Sequence, residues 1–138
     1  MACNNAGIGS ETALLADCAL DAWAQVINTN LSGVFFGMKA QIPAMLKTVA
    51  VPSSTPRPFW AWWGMATAPA CTAAKHGVIG LTQAAAIAYS AQGLRINAVG
   101  PSFIQTPMIE APEEHADMKP SPIADHPIGR LGHRAALT

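Results

Sequence analysis

The sequence predicts an α/β fold on a parallel sheet, and three observations predict it. Stretches 20–46 and 72–91 repeat apolar residues at helical spacing. Short segments at 1–8 and 94–99 read as strands bounded by turn residues. The resulting order is strand, helix, irregular segment, helix, strand and long loop, which suits parallel strands joined by right-handed crossovers. Ligands of such sheets bind at the C-terminal ends of the strands. The turn after Cys3 and the loop after Val99 both fall at that edge.

Each element has its own signal. Residues 1–8 end a buried strand in a turn containing Gly7, and 9–20 form a loop. In the first helix the apolar positions are Trp23, Val26, Ile27, Leu31, Val34, Phe35, Met38, Ile42, Met45 and Leu46. Asp21 suits the positive end of its dipole. Gly33 and Gly37 lie inside it, where glycine costs stability and marks close packing. In the second helix Val78, Ile79, Leu81, Ala85, Ile87 and Ala88 carry the pattern, and Gln92-Gly93 ends it. A Pro-rich, acidic loop follows Gly100-Pro101 and runs to His126-Pro127.

With 138 residues, 51% hydrophobic and 12% charged, the chain is expected to form a single incomplete domain over 1–138. The formal net charge of zero gives no basic surface for nucleic acid. No apolar run is long enough to span a bilayer, and Met1-Ala2-Cys3-Asn4-Asn5 has neither part of a signal peptide. A cytoplasmic protein is expected. Cys3, Cys18 and Cys71 read as free thiols. The four histidines lack metal-ligand spacing, so no metal is expected, and His115 reads as part of a solvated loop.

Five motifs carry the chemistry. Asn4-Asn5-Ala6-Gly7 offers a glycine for close backbone approach and amides that can pin a turn. Asn30 sits mid-helix in Asn28-Thr29-Asn30-Leu31-Ser32-Gly33, where asparagine is unfavourable without a role. Cys71-Thr72-Ala73-Ala74-Lys75 puts a thiol and a cation four residues apart on one helix face. The last two motifs are Asn97-Ala98-Val99-Gly100-Pro101-Ser102 through Thr106-Pro107-Met108, and His126-Pro127-Ile128-Gly129-Arg130-Leu131-Gly132. In this order they resemble the short-chain dehydrogenase/reductase family over most of 1–47 and 71–132.

The resemblance implies a partial Rossmann-like, doubly wound parallel sheet, corresponding to the C-terminal half of the family's domain. It implies an NAD(P)-dependent oxidoreductase of small alcohols or carbonyls, with NAD or NADP as cofactor. Asn30 would help hold a water of the proton relay, and Lys75 would bind the nicotinamide ribose and lower the pKa of the proton donor. Asn5, Ala6, Gly7, Lys75, Pro101, Ile104 and Thr106 would lie at the cofactor. The family's long helices pair between subunits, which implies a homo-oligomer through 20–46 and 72–91.

The sequence also departs from the family. Cys71 stands at the position of its catalytic tyrosine, and a thiol is too short to reach where a phenol oxygen would. The glycine-rich turn that binds the pyrophosphate is not in these residues. Ser102 replaces a glycine. These departures imply that the chain as written is inactive; the alternatives are a non-enzymatic remnant and a helix-mediated interaction module.

Residues 48–70 are a disturbed segment and read as a loop, because Pro52, Pro56 and Pro58 argue against a central strand. Trp60, Trp62 and Trp63 crowd here, as a binding surface would. A frameshift explains them better. Reading each codon's third base with the next two turns Phe59-Trp60-Ala61-Trp62-Trp63-Gly64 into Leu, Gly, one of Leu, Val or Met, Val, and Gly. Permitted codons before it read V-N-T-A-S-V from Ser53 to Phe59. The joined string resembles the family's fifth strand and serine loop, with the serine straddling the codons of Arg57 and Pro58.

Overall fold

A computed structural model describes residues 2–47, 53–56, 65–100, 104–105 and 130–133, with the backbone alone at 53–56. The chain divides into two compact units, Met1–Gly100 and Pro101–Thr138. The boundary falls at Gly100-Pro101, a pair that ends regular structure.

The first unit holds a three-stranded parallel sheet in the order β1 (Ala2–Cys3), β2 (Ser53–Pro56), β3 (Ile96–Val99). The middle strand corrects the expectation of a loop over 48–70. The register shows how a proline is admitted. Ser53 and Ser54 pair with Ala2 and Cys3 on one side and with Ile96 and Asn97 on the other. Pro56 faces Val99 alone, so the residue without an N–H sits where the strand has become an edge. The other residues of 48–64, with all three tryptophans, lie outside the described residues.

Residues 20–47 are helical throughout, but not one regular helix. α1 (Leu20–Ile27) and α2 (Gly33–Lys47) are joined by a π-helical turn, Asn28–Ser32, in which Gly33 N–H bonds Asn28 C=O. The start of α1 is capped from a distance: Glu11 Oε1 accepts from Ala19 N–H at 2.8 Å. Asp21 Oδ1 accepts from Ala22 N–H at 2.9 Å, in the first turn, where a carboxylate suits the dipole.

α3 (Pro69–Tyr89) starts three residues earlier than expected. Pro69 opens it, at a position where a missing N–H costs nothing. A 3-10 turn, Ser90–Gln92, follows, and Gly93 ends the helix at φ 80°. Ala70, Ala74, Val78 and Thr82 fall four apart and form the buried stripe of α3. Thr82 Oγ1 returns its hydrogen to Val78 C=O, which satisfies a hydroxyl inside that stripe.

Val34, Met38, Val78, Leu94 and Ile96 make the core, flanked by Leu31, Ile42, Met45, Leu81 and Tyr89. Trp23, Phe35 and Leu46, counted on the apolar face from periodicity, are instead exposed. The second unit contributes one parallel bridge, Ile104 to Gly132, in which Gln105 N–H donates to Gly132 C=O at 2.9 Å.

Candidate functional site

The candidate site begins at the turn that leaves β1. Ile8 N–H donates to Asn30 Oδ1 at 2.8 Å, and Asn30 Nδ2 donates to Ile8 C=O at 2.9 Å. One side chain thus satisfies both backbone groups of a residue 22 positions away. Asn30 is only 1% exposed, so both bonds are made away from water, where an unmade one would be costly. Gly7 lies beside it: a Cβ there would stand 3.4 Å from Asn30 Oδ1.

The π-helical turn is what aims Asn30. One extra residue in a helical turn shifts the facing of its side chains, and such turns recur at functional sites. Here it carries Asn30 inward to Ile8 and Leu31 toward α3. Leu31 fills the space left by Gly77: a Cβ at Gly77 would meet Leu31 Cδ1 and Cδ2 at 2.8 Å each. The contact ties the Asn30 turn to the helix of Lys75, two residues before Gly77.

Lys75 and Cys71 share α3, one turn apart, and both are partly buried. Burial lowers the Lys75 pKa below its ordinary value, and the Cys71 side chain opposes that shift. Among the described residues no carboxylate pairs with its ammonium. The head of α3 is fixed by the backbone and Thr72: Thr72 Oγ1 accepts from Met65 N–H at 3.2 Å, and Thr72 N–H donates to Ala68 C=O at 2.9 Å. Ala13 N–H donates to Thr67 C=O at 3.0 Å, joining this segment to the loop after β1.

Asn5 and Ala6 lie exposed on the turn and, with Cys3, Asn4, Thr29, Gly33 and Val34, line a cavity of about 180 Å³. Asn5, Ala6, Gly7 and Asn30 are thus one assembly, connected through Leu31 and Gly77 to α3 with Cys71 and Lys75. Pro101 and Thr106 lie outside the described residues, and Ile104 sits in the bridge of the second unit. Among the described residues no group of His, Cys, Asp or Glu is placed to hold a metal ion. None of their helices is long and apolar enough to cross a membrane. The sequence reading missed Thr29 and Gln41. Gln41, one turn after Gly37 on an apolar helix, was the available signal.

The whole arrangement has counterparts among known proteins. A family profile described as enoyl-(acyl carrier protein) reductase matches residues 1–137. The chain is 40% identical over 132 residues to the cyclohexanol dehydrogenase of Acinetobacter sp. (strain SE19). That match covers 96% of this chain and 51% of the relative. The chain belongs to the short-chain dehydrogenase/reductase family. A 3-oxoacyl-(acyl-carrier-protein) reductase of Thermotoga maritima is 36% identical over 129 residues, covering 94% of this chain and 51% of that protein.

The same likeness holds in three dimensions. The crystal structure of levodione reductase matches with a TM-score of 0.89 at 31% identity, covering 95% of this chain and 53% of that one. ElxO with NADP bound matches with a TM-score of 0.86 at 30% identity, with the same coverage. This short-chain dehydrogenase/reductase chain therefore spans about half the length of the relatives it matches, and its fold is a partial Rossmann-like α/β sheet.

Proposed function

We propose that these residues form the proton-relay half of an NAD(P)-dependent oxidoreductase acting on a small alcohol or carbonyl compound. The observation that carries this reading is the buried Asn30, locked to Ile8 and tied through Leu31 and Gly77 to the helix of Lys75. A lysine kept partly from water, with no carboxylate beside it among the described residues, suits a cation that works on a proton donor and a ribose. Asn5, Ala6 and Gly7 would meet the cofactor, and by the family resemblance Pro101, Ile104 and Thr106 would contact it too. Relatives described with NADP bound support NAD or NADP as the cofactor. The nicotinamide would accept or give the hydride; this chain's own residues bind it, orient it and supply the proton path.

The proton donor is the weak point. Cys71 occupies the place of a phenol, one helical turn before Lys75, and its Sγ is bonded directly to Cβ. Each acid/base group contributes about 100- to 10,000-fold, and with both the phenol and the serine displaced the chain as it stands is proposed to transfer hydride too slowly to detect. The segment around β2 supports the same conclusion. Read in the shifted frame, Ser53–Pro56 becomes V-N-T-A, ordinary residues for a middle strand, and a serine follows it. We take the tryptophan-rich segment as a frameshift product and place the protein in the cytoplasm.

A second reading has its own observation. Leu20, Phe35, Phe36 and Ile87 are exposed on the long helices, and Leu31, Phe35, Phe36, Gly77, Gly80 and Leu81 line a groove between α2 and α3. Such an apolar surface suits pairing of the helices between copies. The test of the first reading is an NMR titration of the 138-residue chain with NADH. Shifts at Asn5–Gly7, Thr29 and Lys75 are expected; no shift there, with the chain dimeric, would favour the second.

A further inference from the structure

The turn after β1 is held at two points. At Ile8 the Asn30 side chain takes both backbone groups. Four residues earlier a second amide is locked as completely. Asn4 Nδ2 donates to Gln41 Oε1 at 3.0 Å, and Gln41 Nε2 donates to Asn4 Oδ1 at 2.9 Å. The two amides form a ring, each giving one hydrogen and accepting one. Gly37, one turn before Gln41 and on the same face of α2, lies against that ring. A Cβ at Gly37 would overlap Asn4 Oδ1, with Asn4 Cγ at 3.1 Å and Nδ2 at 3.5 Å. These three nearest atoms all belong to the Asn4 amide.

We propose that Gly37 and Gln41 are positioning residues: they form a seat on α2 for the Asn4 amide, which fixes the turn Asn5–Gly7 for a nicotinamide dinucleotide. The inference rests on the reading of that turn as a cofactor edge. The seat explains a feature that the core does not. Glycine inside a helix is a poor helix former, and alanine is better by about 1 kcal/mol. Methyl-sized space at Gly37 is nevertheless kept, and the only side chain among the three nearest neighbours is Asn4. Gln41 is likewise a polar residue on a helix whose buried residues are Val34 and Met38. With Asn4 seated and Ile8 held by Asn30, the three residues between them are anchored at both ends. Neither Gly37 nor Gln41 lies in the turn itself; both act on it through Asn4.

The test uses the 138-residue chain in four forms beside the original: Gln41→Leu, Gly37→Ala, the exchange Asn4→Gln with Gln41→Asn, and Gly37→Ala in an Asn4→Ala background. Two quantities are read: NMR order parameters of Asn5–Gly7, with Val78 as the core reference, and NADH affinity by fluorescence titration. Gln41→Leu and Gly37→Ala should each loosen the turn and weaken NADH binding about 10-fold, the scale of one lost hydrogen-bonded pair. Val78 should not change. The exchange keeps the combined length of the two side chains, and it should restore both readouts. In the Asn4→Ala background Gly37→Ala should add nothing, because the new methyl has no amide to meet.

Unchanged turn order in both single variants would overturn the seat. So would a Gly37→Ala effect that persists without the Asn4 amide, or a loosening that extends to Val78, since either would mark a general structural role. If the original chain binds no NADH, the cofactor reading fails, and the turn order alone decides the seat. If Gly37→Ala does not fold while its Asn4→Ala double variant does, the clash with Asn4 is confirmed directly.

Discussion

The two ends of the candidate site are held in different ways. At the Asn30 end, side-chain amides make four hydrogen bonds to or across the turn, two from Asn30 and two between Asn4 and Gln41. At the Lys75 end, the backbone places the side chains: Cys71 and Lys75 ride on α3, and packing of Leu31 on Gly77 sets the helix against the π-helical turn. The first end therefore depends on polar groups satisfying one another, and the second on shape. Damage to the first should strand buried polar groups, and damage to the second should disturb packing and the burial of a charge.

The largest expected effect is at Asn30. Asn30→Leu keeps the branched skeleton but strands both Ile8 N–H and Ile8 C=O and adds bulk at a buried position, so it should destabilise the chain by about 2–4 kcal/mol in urea unfolding. A loss under 1 kcal/mol would mean that the turn finds other partners and that the amide does not hold it. At the other end, Gly77→Ala drives a methyl into Leu31. A leucine tip can shift, so about 1 kcal/mol is expected, and the loss should vanish in a Leu31→Ala background. A loss that persists there would place the strain elsewhere.

Lys75 gives a smaller effect that changes with pH. Its folded pKa lies below its ordinary value, so the unfolded chain holds the proton more tightly. The buried charge therefore opposes folding fully at neutral pH, and that opposition fades as pH rises into the lysine range. Lys75→Met should raise the urea midpoint at neutral pH and lose its advantage at alkaline pH. A gap that stays constant with pH would show that charge burial is not the cause. The smallest effect belongs to Cys71. Cys71→Ala should change stability by no more than about 0.5 kcal/mol, because the thiol makes no structural bond among the described residues. A larger loss would give the thiol a role that its surroundings do not suggest.

The parts legible in the sequence were those with a local signal. Helical periodicity located both long helices, and Gly93 ended the second where a left-handed residue was needed. Gly37 marked close packing, as a helical glycine does. Non-local features were not legible. Gln41 pairs with a residue 37 positions away, so its sequence neighbours mark a polar residue on an apolar helix but not its partner. The π-helical turn breaks the 3.6-residue period for one turn only, and the period survives on either side. Trp23, Phe35 and Leu46 match the helical pattern yet stay exposed; Phe35 lines the open groove beside α3 instead of entering the core. The middle strand was hidden by its prolines, although register leaves Pro56 beside one neighbour only.

One comparison remains between the strand as written and the strand in the shifted frame. Sequencing the DNA for residues 48–72 should show codons that read V-N-T-A-S-V-L-G across Ser53–Ala61 in that frame; codons that cannot do so would remove the frameshift.

The central claim is that the proton-relay residues are in place and the proton donor is not. Its most direct test is hydride transfer by the 138-residue chain, with NAD or NADP and a panel of small secondary alcohols. The account predicts no reduced cofactor above the buffer rate at any alcohol concentration. Saturable formation of NADH or NADPH would contradict it, and would make Cys71 or another group an acid that does the work of a phenol.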